Sequence, residues 1–226
     1  MRRSLADKKI LFPPTYEGDM RLRLNARNQG SVARRARSIM RSGGLVVYPT
    51  DTVYGLGADA TSEEAVNAVY LAKGRPSDKA ISVAVAGLDQ IRQLAGLDPR
   101  LAKVLSRILP GPYTVLLQPT GKLPHLSASG KIGIRIPQHP FALMLCRDFP
   151  VTCTSANLSG KPSPRVASEV TVAADLIIDG GPCPLGLEST VLDFSSDRPR
   201  VLRRGSGDLG PIRQALIDSL LPGFDE

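Results

Sequence analysis

Histidine and cysteine are scarce in this 226-residue chain, and their scarcity excludes several chemistries at once. His125 lies in a polar loop and His139 sits among prolines, so neither is placed to act as a catalytic base or as half of a metal pair. The three cysteines, Cys146, Cys153 and Cys183, are odd in number and have no metal or redox spacing. They read as reduced thiols of a cytosolic protein. No run approaches the roughly 20 apolar residues that a membrane span requires. The opening MRRSLADKK lacks the apolar core of a signal peptide, so the expected location is cytoplasmic, with no membrane contact.

Familiar catalytic loops are missing too. There is no GxxxxGK[ST] phosphate loop, no GxGxxG after a strand and no GxSxG elbow. Cys153 falls in mid-strand, where a packed thiol is the better reading than a nucleophile. No side chain stands out as a catalytic group. Phosphate chemistry on this chain would have to run on electrostatics and positioning, with Mg²⁺ carried by the nucleotide.

Negative charge is scarce at one end only. Residues 1–41 hold 11 Lys/Arg against 3 Asp/Glu, whereas residues 42–226 hold 18 of each. The whole net charge of +8 therefore sits in an N-terminal arm and the first helix. Such an arm can steer toward nucleic acid or another polyanion, and it reads equally well as a solvated tail.

The remaining pattern is that of an α/β domain around a twisted, mixed sheet, with residues 1–30 as a basic extension and residues 31–222 as the domain. Arg21 to Asn25 alternates like an edge strand. Ser31 is expected to cap a helix to Arg41, and Thr61 to open a capping box for a helix to Ala72. Apolar runs predict strands at Leu45–Tyr48, Ile81–Ala86, Tyr113–Leu117, Ile132–Ile136, Val151–Thr154, Leu176–Ile178, Thr190–Phe194 and Arg200–Arg203. Helices are expected at Leu88–Leu94, Pro99–Leu109, Pro137–Arg147, Val166–Ala173 and Pro211–Leu220.

Small polar groups and cations recur where these strands run out. Thr52 follows the first core strand inside PTDTVYGLG, and Arg135 lies within KIGIRIP. Ser155 and Asn157 follow VTCT, Ser189 precedes Thr190, and Arg203 closes the last strand. Lys73, Arg75 and Lys79 lie between a helix and a strand. An arginine inside an apolar strand must meet an anion or a protein carboxylate. Taken together, these cations and hydroxyls suit a pocket for a polyanion beside a small zwitterion.

Seven segments in order, PTDTVYGLG, KGRP, PGPYT, IGIRIP, TSANLSG, ESTVLD and RRGS, resemble those of the threonylcarbamoyl-AMP synthases, the YrdC-like domain, over about Ser31 to Gly210. The resemblance implies a concave basic groove on the sheet and the synthesis of threonylcarbamoyl-AMP and pyrophosphate from L-threonine, bicarbonate and ATP. A tRNA threonylcarbamoyl transferase complex would use the product. It implies L-threonine contacts by Thr52, Arg135, Ser155 and Ser189, with Arg135 on the carboxylate. ATP contacts would come from Lys73, Arg75, Lys79, Lys131, Asn157, Arg165 and Arg203. Lys79 stands where many relatives have asparagine, and Ala84 where they have histidine. The length resembles the short, single-domain form. Two other readings are a double-stranded RNA-binding module, which would include a tRNA contact, and a carbamoyl-AMP-forming relative.

Overall fold

Alternating side chains give the sheet two different faces. The strands are β1 (Met20–Arg23), β2 (Val46–Tyr48), β3 (Gly55–Gly57), β4 (Ser82–Ala84), β5 (Tyr113–Leu117), β6 (Ile132–Arg135), β7 (Val151–Ser155), β8 (Leu176–Asp179), β9 (Thr190–Asp193) and β10 (Arg200–Arg203). They form one mixed sheet in the order β1-β8-β2-β3-β7-β4-β6-β5-β9-β10. This computed structural model describes residues 20–126 and 130–224, so residues 1–19 of the expected extension lie outside the described residues. The helices are α1 (Gln29–Arg41), α2 (Glu63–Lys73), α3 (Leu88–Leu94), α4 (Pro99–Ile108), α5 (Pro140–Leu145) and α6 (Leu209–Asp218).

One face is covered throughout. Val47, Leu56, Val83, Val115, Ile134 and Leu192 point into a core closed by apolar residues of α2, α3, α4 and α6. Burying each such side chain contributes about 1.5–3 kcal/mol. The other face is covered only in part. There α1 and α5 pack Val32, Ala36, Met40, Phe141 and Leu145 onto Val46, Tyr48, Ala84, Val151, Leu176 and Ile178. Two residues further along the same strands come Ser82 and Cys153, which line open space. The pleat carries Thr114, Leu116, Arg135, Ser189 and Val191 to that uncovered half.

The expectation of an α/β fold around a mixed sheet therefore holds, and several local expectations are corrected. Gly55–Gly57 is a strand, antiparallel to both β2 and β7, where no strand was expected. Helix α1 starts at Gln29 after Asn28; Ser31 is already inside it and its Oγ donates to the Asn28 carbonyl at 2.9 Å. Ser62, rather than Thr61, caps α2 by accepting from Ala65 N at 3.2 Å, while Thr61 Oγ1 donates to Asp59. The helix expected at Val166–Ala173 is a single 3-10 turn, Ala167–Glu169. The strand expected near Arg21 is β1, at the sheet edge and parallel to β8.

Candidate active site

The segment Pro49–Tyr54 joins β2 to β3, so both its ends are held in the sheet. Inside it, Thr50 Oγ1 donates to Val53 O at 2.7 Å and accepts from Thr52 N at 3.1 Å. Hydroxyls that bond their own backbone in this way replace ladder partners and hold a tight turn. Outside it, Tyr54 N donates to Pro164 O at 2.9 Å and Leu185 N donates to Asp51 O at 3.1 Å. The result is a rigid shelf at one end of the open half-face.

That half-face is a cleft of about 320 Å³. On its floor the Arg135 guanidinium donates from Nη1 to Thr52 Oγ1 at 2.9 Å and from Nη2 to Asp51 Oδ1 at 2.7 Å. The buried arginine thus meets a protein carboxylate, as its place in an apolar strand requires. Ser189 Oγ lies 2.8 Å from Thr114 Oγ1. Ser155, at the end of β7, and Thr154 complete the polar wall, with Val53, Leu116 and Val191 as apolar patches.

Two further arginines stand at the cleft. Arg75 is fixed by donating from Nε to Lys79 O at 3.1 Å and from Nη2 to Ala80 O at 3.0 Å. Arg203 donates from Nη2 to Ser189 O at 2.9 Å, and its Nη1 pairs with Glu188 Oε2. Glu188 is the only acidic side chain among the described residues lining the cleft.

Lys73 lies behind this wall. Its Nζ donates to the carbonyls of Ser155 and Asn157, the latter at 2.7 Å. Burial pushes its pKa down to about 8, the nearby Arg75 charge pushes the same way, and Glu188 partly opposes them. Lys73 therefore fixes the backbone that presents Ser155.

A family model described as telomere recombination, covering Sua5, YciO and YrdC, matches residues 38–205. The chain belongs to the Sua5/YciO/YrdC family. It is 44% identical over 183 residues to a threonylcarbamoyl-AMP synthase of Bacillus subtilis (strain 168), covering 76% of this chain and 52% of that one. Among solved structures it resembles P. abyssi Sua5 complexed with L-threonine, with a TM-score of 0.80, 34% identity, and coverage of 90% of this chain and 62% of the other. E. coli YciO aligns with a TM-score of 0.73 and 27% identity over 86% of this chain and 98% of its own. The chain spans about half the length of the curated relatives it matches first, 52%, 56% and 53% of them.

Set against the residues that a Sua5/YciO/YrdC chain is expected to use, the cleft is selective. Thr52, Arg135, Ser155, Ser189, Arg75 and Arg203 all line it. Lys73, Lys79, Lys131, Asn157 and Arg165 do not. Lys131 Nζ is taken by Asp193 Oδ2 at 2.6 Å. Asn157 is buried, with Nδ2 donating to Lys161 O at 2.6 Å and Oδ1 left without a protein partner. Arg165 packs its guanidinium over Gly186, and Lys79 is exposed, contributing its carbonyl to Arg75. Ala84 is fully buried in the core under α1 and α5, so nothing at the histidine position reaches the cleft.

Two cleft-shaping carboxylates were missed from the sequence. Asp51 sits inside PTDT and Glu188 opens ESTVLD, so both were visible, but an acid is a poor candidate in a site sought for anions. His125 Nε2 lies 2.9 Å from Ala60 O and the His139 side chain caps α5, which leaves both histidines in structural contacts.

Proposed function

We propose that the chain is an L-threonylcarbamoyladenylate synthase, joining L-threonine, bicarbonate and ATP into threonylcarbamoyl-AMP and pyrophosphate for the modification of tRNA. The observation that carries this reading is the convergence of Thr52, Arg135, Ser155 and Ser189 with Arg75 and Arg203 in one cleft. The first four fit a small zwitterion with a hydroxyl, and the arginines fit a polyphosphate tail.

In this mechanism the threonine amine gives up a proton and takes up bicarbonate as an N-carboxylate, with loss of water. A carboxylate oxygen then attacks the α-phosphorus of ATP, and the bond to the β-phosphate oxygen breaks to release pyrophosphate. No covalent bond to the protein forms in this proposal, and Cys153, the only thiol among the described residues lining the cleft, lies against Arg135. Arg135 anchors the amino acid carboxylate, Thr52 and Ser155 orient its polar groups, and Arg75 and Arg203 offset the charge building on the phosphates. The described residues contain no cluster of three or more His, Cys, Asp or Glu suited to a metal ion. In this proposal Mg²⁺ enters with ATP as the MgATP substrate.

The test is pyrophosphate release by the purified chain with MgATP, bicarbonate and labelled threonine. Release that requires both threonine and bicarbonate, with a labelled adenylate as product, is the expected result. ATP turnover without threonine would overturn the assignment. A transferase complex acting on tRNA would consume the product. No helix of the described residues is long and apolar enough to cross a membrane, and a cytoplasmic location is part of this proposal.

A further inference from the structure

The one acid in the cleft stands where an anion is to bind, and its surroundings give it a purpose. Glu188 is half-buried between two partners: Oε2 pairs with Arg203 Nη1, and Oε1 accepts from Ser163 Oγ at 2.5 Å. Its own carbonyl accepts from Ser206 N at 2.8 Å, which fixes the backbone on either side of the pair. The Arg203 guanidinium is held separately. Its Nε and Nη2 both donate to Ser189 O, at 3.3 and 2.9 Å, so only Nη1 is committed to Glu188. Exchange of the carboxylate for a phosphate oxygen at Nη1 therefore needs no movement of the arginine. Ser163 helps hold the carboxylate against Arg203 in the paired state.

From this geometry we infer that Glu188 is an internal competitor for Arg203, a stand-in anion that is displaced when a phosphate enters and that returns to expel it. Resting on the reading of the cleft as a nucleotide site, this makes Glu188 a positioning residue that sets how tightly the polyphosphate tail and the pyrophosphate product are held. The pair is solvent-accessible, its side chains 46% and 39% exposed, as a switchable contact must be. A fully buried pair such as Arg135 with Asp51 could not exchange partners without leaving a charge unpaired. By mass action the apparent dissociation constant is the intrinsic one divided by the fraction of molecules with Arg203 free. For an ion pair of this exposure that fraction is about one half to one sixth.

The test is calorimetric titration of the full chain with inorganic pyrophosphate in EDTA, and with MgATP, comparing wild type, Glu188→Gln, Arg203→Gln and the double variant. Glu188→Gln is expected to bind pyrophosphate about two- to sixfold more tightly. The double variant should show no gain over Arg203→Gln, because the coupling runs through that arginine. A merely structural role for Glu188 predicts the opposite sign, since a disordered cleft binds less. Ser163→Ala keeps the charge but loosens its second anchor; it should lower the return of the carboxylate and give a smaller shift in the same direction, even if Glu188→Gln folds poorly. Unchanged or weaker pyrophosphate binding in Glu188→Gln would overturn the inference. So would a loss confined to MgATP, which would make the carboxylate a metal contact. If the wild-type chain binds neither ligand, the nucleotide reading of the cleft itself falls.

Discussion

Asp51, beneath the cleft floor, forms an ion pair with Arg135 at 2.7 Å, their side chains only 4% and 6% exposed. Asp51 Oδ2 and Arg135 Nε have no further protein partner among the described residues. Breaking such a pair from one side strands a charge and costs about 3–5 kcal/mol, whereas neutralising both sides costs far less. Arg135→Gln and Asp51→Asn should each lower the free energy of urea unfolding by about that amount. The double variant should recover most of it while staying inactive, because on the proposed reading the threonine carboxylate would lose its anchor. Equal stability of wild type and Arg135→Gln would remove the pair from this account.

Arg75 presents its guanidinium from a short turn after α2, held by hydrogen bonds to two backbone carbonyls. Arg75→Ala leaves those carbonyls to water at an exposed site, so stability should change little. The KM for ATP should rise at least about tenfold, the size of one lost charge-assisted contact, with the KM for threonine nearly unchanged. Steady-state pyrophosphate release at varied ATP and varied threonine separates the two.

Lys73 gives the cleft a pH dependence with a definite sign. Its pKa is lowered from 10.5 to about 8, chiefly by burial. The unfolded chain holds the extra proton between those two values, so this residue makes stability rise with pH across that window. The charge next to the cleft is lost over the same interval. ATP affinity should therefore fall about two- to fivefold as pH climbs through 8, and Lys73→Gln should flatten that step. Calorimetry at pH 7 and pH 9.5 reads both.

Gly205 passes so close to its neighbours that a Cβ there would lie 2.2 Å from Glu188 O and 2.5 Å from Ser189 O. Both are backbone atoms and cannot swing away. Gly205→Ala should push β10 and Arg203 off the cleft, weakening pyrophosphate binding and costing about 1–3 kcal/mol of stability. Normal binding and an unchanged unfolding midpoint would show that the loop yields.

Two strands were legible in the sequence to the residue, the apolar Tyr113–Leu117 and the short Arg200–Arg203. Strand β3 was not, because two glycines in three residues carry no alternation and little strand preference; only pairing with β2 and β7 makes Gly55–Gly57 a strand. The cleft lies on the sheet face that α1 and α5 leave bare. The polar residues that share this cleft were recognisable by type and spacing. Which cations face it was not. Lys131 is drawn to Asp193 on a strand two places away in the sheet, and no local pattern announces that partner.

The Tyr48 ring, wholly inside the α1/α5 core, donates from its hydroxyl to Thr152 O and presses against the backbone of β3. A Cβ at Gly57 would come within 2.8 Å of that ring, and one at Gly55 within 3.1 Å. The aromatic covers the sheet face that the two glycines leave free, and through them it bears on β3, the strand that anchors one end of the Thr52 shelf. Exchanges at position 48 would therefore reach the Thr52 shelf through β3 without altering any side chain that lines the cleft.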